Sequence, residues 1–448
     1  MSIALNIEGP SHSPSHSPSQ STSCSTDHHA WLQSLMTESR AGNPNQVDKL
    51  EVSRVPSEFR QMKENTDCYE PLVVSIGPYH HGKKELKEME KLKAKMAGQF
   101  VEGSRVAAEE MYSKVKELVS DARKCYAEES TCQFNDEKFT QMMFLDGYFI
   151  LQVVSDKLAK QNLRKEEVAS VRRDLFLLEN QLPFKVLIPL MRLLVTKLPK
   201  ALNLSSKSPI SMDTTFGLDS YNHLLEVFYF MFVYGGPEGQ HQPERRMYRE
   251  IPRWNRYYSV NELKNVGISF KPSNTSVFTD VKFKKTLLGG ALRIPPLIIE
   301  DSTKSLLLNL AVYETCAQWY YGRCTSYLCL MRSLIDKPED VMELRSKGIL
   351  RTTIGSDDQI AQIFKEITTN LVPNPTAYTE VKRSVESHYR SNFNRLILQN
   401  KDPISKAVVK YSFIYGMAVT AIQAYLAETK EKPGFGNCSC SNATLQHP

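Results

Sequence analysis

The sequence predicts a mainly α fold: a multi-helix globular body with a small antiparallel β unit around residues 266–299 and a C-terminal apolar helix. Three observations lead there. Apolar residues recur at helical spacing through most of the chain. Short β-prone runs are confined to one region after Ser259. The composition, 41% hydrophobic and 24% charged, is that of an ordinary globular protein.

Residues 1–28 are rich in Ser, His and Pro, bury little apolar surface and are expected to form a disordered arm. The segment Met1 to Pro10 has no basic start and no apolar run, so a secretory signal is not expected. The folded body is placed at 29–405, followed by an apolar helix at 406–428 and a tail at 429–448.

Within the body, Leu72-Val73-Val74-Ser75-Ile76 reads as a strand or a buried extended segment, bounded by Pro71 and Gly77. Leu86, Met89, Leu92/Lys93 and Met96 have helical spacing, and a second helix follows through Leu118. Phe139 to Leu158 carries a broad apolar stripe on which Asp146 falls, and Arg172 to Leu198 is a further helix with kinks or breaks at Pro183 and Pro189. Loops are expected at 200–222 and 234–243, with a buried helix from Leu224 to Phe232 between them. Val266 to Phe270, Val277 to Phe283 and Ala291 to Ile299 make up the β unit. Helices then resume at Ser302 to Tyr321, Pro338 to Arg345, Ser356 to Ile367, Tyr378 to Leu398 and Lys406 to Glu428. Ser356 and Gln359 have capping-box spacing.

The 56 Lys and Arg against 50 Asp and Glu are interspersed and leave a net charge of +6, without the concentrated basic stripe of a nucleic-acid binder. No nucleic-acid partner is expected. The nine cysteines lack paired zinc-ligand spacings, which suggests free thiols in a reducing compartment. No metal and no cofactor is expected.

Gly77-Pro78-Tyr79-His80-His81-Gly82-Lys83-Lys84 matches the G-x-x-x-x-G-K pattern of a phosphate-binding loop. Pro78 lacks a cradle N–H, and Lys84 stands where a Ser or Thr would meet Mg²⁺. The histidine pair reads better as a turn held by ring hydrogen bonds than as a metal site. Glu179-Asn180-Gln181, with Asp146, reads as a polar network that fixes helix packing, ahead of a catalytic carboxylate set. G-x-S-x-G and H-E-x-x-H are absent from the sequence. Catalytic residues are therefore not assigned.

Tyr411 to Ala427 is seventeen residues without a formal charge, the lower edge of a bilayer span. It either crosses a membrane or docks as a terminal helix. Lys401, Lys406 and Lys410 before it favour a cytosolic body if it crosses. Asn437 and Asn442 would then be candidate glycosylation sites, and the sequons at Asn203 and Asn274 chance matches.

Several blocks together resemble the plant domain of unknown function 247 family. Val55-Pro56, Tyr69-Glu70-Pro71, Val74 to Gly82 with Met89-Glu90 and Lys93 look like its opening signature. Phe144 to Leu151 and Asp174 to Phe184, including Pro183, resemble two helical blocks. Gly267 to Phe270, Leu292 to Leu297 and Leu344 to Ile349 resemble later ones. The resemblance implies a land-plant protein, usually with one C-terminal membrane helix, without established enzymatic activity, in a family some of whose grass members are pollen determinants of self-incompatibility. The terminal segment here is shorter and more polar than that family's usual membrane helix. The expectation is a non-enzymatic, membrane-associated recognition or signalling protein, plasma-membrane single-pass with a cytosolic body, whose protein or peptide partner is unknown. The alternatives are a cytosolic nucleotide-binding protein and a soluble interaction scaffold.

Overall fold

The computed structural model describes residues 50–401 apart from 104, 156–157, 162, 202–217, 237–257, 287–288, 318–321 and 354, with isolated positions at 31–36 and 411–423. The chain divides into two units, residues 1–49 and 50–448, each taken by itself. In the first, Trp31, Gln33, Ser34 and Met36 are helical, and the Ser34 hydroxyl donates to the Trp31 carbonyl at 2.7 Å. The expected arm at 1–28 lies outside the described residues.

The second unit begins with a short helix, α1 (Ser57–Arg60), and an irregular stretch that carries residues 71–82. Helices α2 (Lys87–Gly103) and α3 (Arg105–Arg123) follow, then the single turn α4 (Glu128–Thr131), α5 (Asp136–Val154), α6 (Lys165–Asp174) and α7 (Phe184–Ala201). α3 lies against both α5 and α7, and α2 packs on α3 and α5. α5 starts where Asn135 accepts the Lys138 N–H at 2.8 Å, and Asp136 and Glu137 in its first turn suit the helix dipole. It is buried on several sides, which is why its apolar stripe looks broad in sequence.

The block expected as one helix from Arg172 to Leu198 is two helices with a loop between. α6 stops at Asp174, and Gln181 and Asn180 take over its terminal carbonyls. Gln181 Nε2 donates to Leu175 and Leu177 O at 2.7 and 2.8 Å, and Asn180 Nδ2 to Asp174 O at 2.9 Å. Pro183 cannot continue a helix and leads into α7. Pro189 sits within α7. Glu179, Asn180 and Gln181 therefore belong to a loop.

After α8 (Leu224–Tyr234) and α9 (Val260–Asn265), a three-stranded sheet contains β1 (Ile268–Pro272), β2 (Lys282–Thr286) and β3 (Gly289–Ile294) in the order β1-β3-β2. The β unit is mixed. β2 and β3 form the expected antiparallel pair, but β1 runs parallel to β3. The connection from β1 drives Phe278 into the core, stacked on Tyr327 at 4.3 Å, and so delivers β2 to the far side of β3. Pro295-Pro296 cuts the run expected from Ala291 to Ile299. β4 (Leu297–Ile299) leaves the sheet and pairs parallel with β5 (Leu350–Thr352).

The remaining helices are α10 (Thr303–Cys316), α11 (Arg323–Leu334), α12 (Pro338–Ser346), α13 (Asp357–Thr368) and α14 (Thr379–Lys401). Sequence periodicity did not separate α11 or α9. α9 carries a capping box of its own, in which Ser259 and Glu262 bond each other's backbone N–H. The expected box at Ser356 and Gln359 opens α13.

Most of 406–428 and all of the tail lie outside the described residues, including Ala427, Asn437 and Asn442; so does Asn203. Tyr411 and Ile422 are helical and exposed. Among the described residues, no helix is long and apolar enough to cross a membrane.

Candidate functional site

Residues 72–77 lie in no helix and pair with no strand, so their backbone polar groups need other partners. Side chains supply them. Asp174, at the end of α6, accepts the N–H groups of Leu72, Val73 and Val74 at 2.8 to 3.1 Å. Asn180 accepts from Ile76 N at 2.6 Å and donates to Val74 O at 3.0 Å, as a neighbouring strand would. Asp146, on α5, accepts from Gly77 N at 2.8 Å.

The segment is also held from α2. Lys93 has a fully buried side chain, and its ammonium donates to Ser75 O, to Glu90 Oε1 at 2.6 Å and to Asp146 Oδ1 at 2.5 Å. Those contacts use all three of its donors. Burial pushes the Asp146 carboxyl above the usual range, and the Lys93 charge beside it opposes that push. Burial likewise raises Asp174, against the three backbone N–H groups and Arg173, whose guanidinium lies 2.8 Å away.

A second cluster closes the turn at residues 77–82. Glu179 accepts from Val55 N at 2.8 Å with one oxygen and from Arg60 with the other. Glu70 receives Arg60 at 2.6 Å and Lys83 at 2.5 Å. Although burial works upward on Glu70, the Lys83 and Arg60 hydrogen bonds bring it down to about 2. His80 lies buried between them, with Nδ1 taking the Lys83 ammonium at 2.9 Å and Nε2 facing Glu179 at 3.7 Å. That arrangement assigns the ring proton to Nε2. Burial, then Lys83, hold His80 down to about 4.

The remaining turn residues are structural in the same sense. Gly77 has φ +72°, and a Cβ there would sit 2.9 Å from the Tyr126 hydroxyl. Pro78 is buried and Gly82 also has positive φ. Tyr79 donates to Val52 O at 2.8 Å and accepts from Ala127 N at 3.1 Å. His81 meets the edge of Phe134, with ring centroids 5.5 Å apart. The Gly77 N–H and the Lys83 ammonium, the two groups a phosphate would need first, are thus committed within the protein.

The structure brings Asp146 and Asn180 onto residues 74–77 and Glu179 beside His80 of the following turn, whereas the Gln181 side chain serves the loop after α6 and the Leu225 N–H. Sequence reasoning gave Arg60, Lys93 and Asp174 no role in the site, although Lys93 and Asp174 lie in the resemblance blocks. Lys93 carried a legible signal, a charge on the inward stripe one turn after Met89. A buried carboxylate was also missed at Glu314 of α10. It accepts from Cys324 N and Thr325 N at the start of α11 and from the Tyr229 hydroxyl at 2.5 Å. Among the described residues, no group of His, Cys, Asp and Glu converges as metal ligands, and the six cysteines there are free thiols.

Asp146, Asp174, Glu179, Asn180, His80 and Lys93 come from the blocks that carry the family resemblance. A family model described as a plant protein of unknown function, domain of unknown function 247, matches residues 52–420. The chain belongs to that family. It is similar to a UPF0481 protein of Arabidopsis thaliana, 27% identical over 434 residues that cover 87% of this chain and 89% of that one. A second, putative UPF0481 protein of Arabidopsis thaliana is 23% identical over 402 residues, covering 68% and 75%. No solved structure matches significantly. In this domain of unknown function 247 protein, the opening signature supplies the held segment and Lys93, and the two following blocks supply Asp146, Asp174 and Asn180, which hold it.

Proposed function

We propose that this protein is a non-enzymatic recognition or signalling protein that works at a membrane. The observation that supports this most is how its buried carboxylates are used. Asp146, Asp174 and Glu179 would be the natural catalytic set, and each accepts at least one backbone N–H and pairs with a neighbouring cation, Lys93, Arg173 or Arg60. A general base needs a lone pair that substrate can reach. Groups spent in this way hold the chain in shape, and function passes to surfaces and to the apolar segment 411–427.

Membrane attachment through 411–427 is the second half of the reading. Its test is alkaline carbonate extraction of plant-cell membranes containing the full chain or a form ending at Asp402. Retention of the full chain alone in the pellet supports attachment by the terminal segment. Release of both forms overturns it. Recognition of the self-incompatibility kind is the narrowest form of the proposal and rests on the family resemblance. The nucleotide-binding alternative has less support, because a ligand at Gly77 to Lys84 would have to displace Asp146 and Glu70. Heat on titration with millimolar ATP or GTP would revive it.

A further inference from the structure

Charges that look dispersed in sequence are assembled by the sheet. The register sets Lys271 of β1 and Lys282 of β2 directly opposite Arg293 of β3, one on each side. Lys284 is two residues from Lys282 and shares its face. All four are exposed. The opposite face carries Phe270, Leu292 and Phe283 toward the core, where Phe283 meets His388 of α14 at 5.7 Å. The basic side is therefore the outer one.

Like charges abreast on neighbouring strands destabilise a sheet, so the arrangement needs a reason. Lysines on an edge strand discourage strand addition, which accounts for β2. It does not account for Arg293, which is on the central strand. Asp280 offsets Lys282 at 2.5 Å, and among the described residues no carboxylate pairs with Lys271, Lys284 or Arg293. Among the described strand residues, this face has no aromatic side chain on which a nucleic-acid base could stack. What it offers is a row of exposed, long cationic side chains, which suits a sheet of anionic headgroups.

We propose that Lys271, Lys282, Lys284 and Arg293 dock this sheet face on the anionic headgroups of a phospholipid bilayer. The inference rests on the membrane reading above and adds the surface that lies against the lipid. Each cation near an anionic bilayer adds to partitioning, and the attraction fades as the Debye length shortens from about 10 Å at 0.1 M salt toward about 3 Å at 1 M.

The test is flotation of the full chain with phosphatidylcholine vesicles, with and without phosphatidylserine. A variant with all four cations changed to Gln is compared with a control in which exposed Lys84, Lys87, Lys91 and Lys95 become Gln. Melting curves establish that each is folded, and the single Arg293→Gln and Lys271→Gln variants give graded steps if the fourfold variant is not. The expected result is binding to the serine-containing vesicles that high salt releases, about tenfold or more weaker in the sheet variant and little changed in the control. Equal losses in both variants would reduce the effect to net charge and overturn the proposal. So would binding of duplex DNA without binding of vesicles. Retention on both vesicle types, unaffected by the sheet substitutions, would also overturn it while leaving attachment through 411–427 intact.

Discussion

The Lys93 ammonium lies 2.5 Å from the Asp146 carboxylate, with both side chains closed off from solvent. A buried pair is weak support for stability as a whole, because desolvation cancels much of the attraction. Removing one partner is another matter. Lys93→Met leaves Asp146 charged and unpaired and strips Ser75 O and Glu90 of a donor, so a loss of about 3–5 kcal/mol is expected. Asp146→Asn keeps an acceptor for Gly77 N and should cost less. Urea unfolding of the two single variants and the double variant forms the cycle. Strictly additive losses would mean that the pair is not coupled.

Asp174 stands in for a β-strand. Three consecutive N–H groups depend on it, and each one orphaned in the interior costs about 1–3 kcal/mol. Asp174→Ala is expected to lower stability by about 3 kcal/mol or more, with water relieving part of the loss at exposed Leu72. Amide hydrogen exchange tells this from a general weakening. The Leu72, Val73 and Val74 amides should lose protection beyond the global change. Uniform loss across the chain would refute a local role.

Helices α2 and α5 could be read from apolar period, because α2 buries one face and α5 a run of large apolar side chains. The β region could be located but not paired, since parallel pairing of β1 with β3 depends on where Phe278 and Tyr327 meet, and no local signal carries that. The polar cradle was half legible. Asp146 and Glu179-Asn180-Gln181 stood out as polar groups in apolar surroundings. Asp174 did not, because a carboxylate followed by Leu175 looks like an ordinary helical charge, and its partners are about a hundred residues away. The basic sheet face was invisible for the same reason, since register and not spacing assembles it.

Gly77 combines a backbone requirement with a steric one. Its φ is +72°, and an added Cβ would approach the Tyr126 hydroxyl at 2.9 Å and Gln181 O at 3.0 Å. Gly77→Ala should therefore cost about 2 kcal/mol or more. Adding Tyr126→Phe removes the hydroxyl contact but leaves the positive φ, so it should return only part of the loss. Full recovery of the Gly77→Ala melting temperature in the double variant would show that backbone conformation contributes little.

Acid should loosen the turn at residues 77–82 through His80. Its folded pKa is near 4 against 6.5 for a free imidazole, with burial the main cause and Lys83 the next. A group depressed on folding contributes its full share above the unfolded value, and that share is lost as pH falls toward the folded value. The window is therefore pH 6.5 to about 4, and the slope is up to about 1.4 kcal/mol per pH unit. Buried His223, held down to about 3 by burial, acts in the same direction and extends the loss further. Glu70, at about 2, adds its own loss only as pH falls below 4.5, so the range above 4.5 reports the histidines and not Glu70. His80→Gln keeps an acceptor for Lys83 and removes the titration. Melting temperatures of this variant should fall less steeply than the parent's between pH 6.5 and 4, with the His223 share remaining. Parallel curves for the two proteins across that range would mean that His80 is already solvated, and that the Glu70, Glu179 and Arg60 cluster opens to water before it titrates.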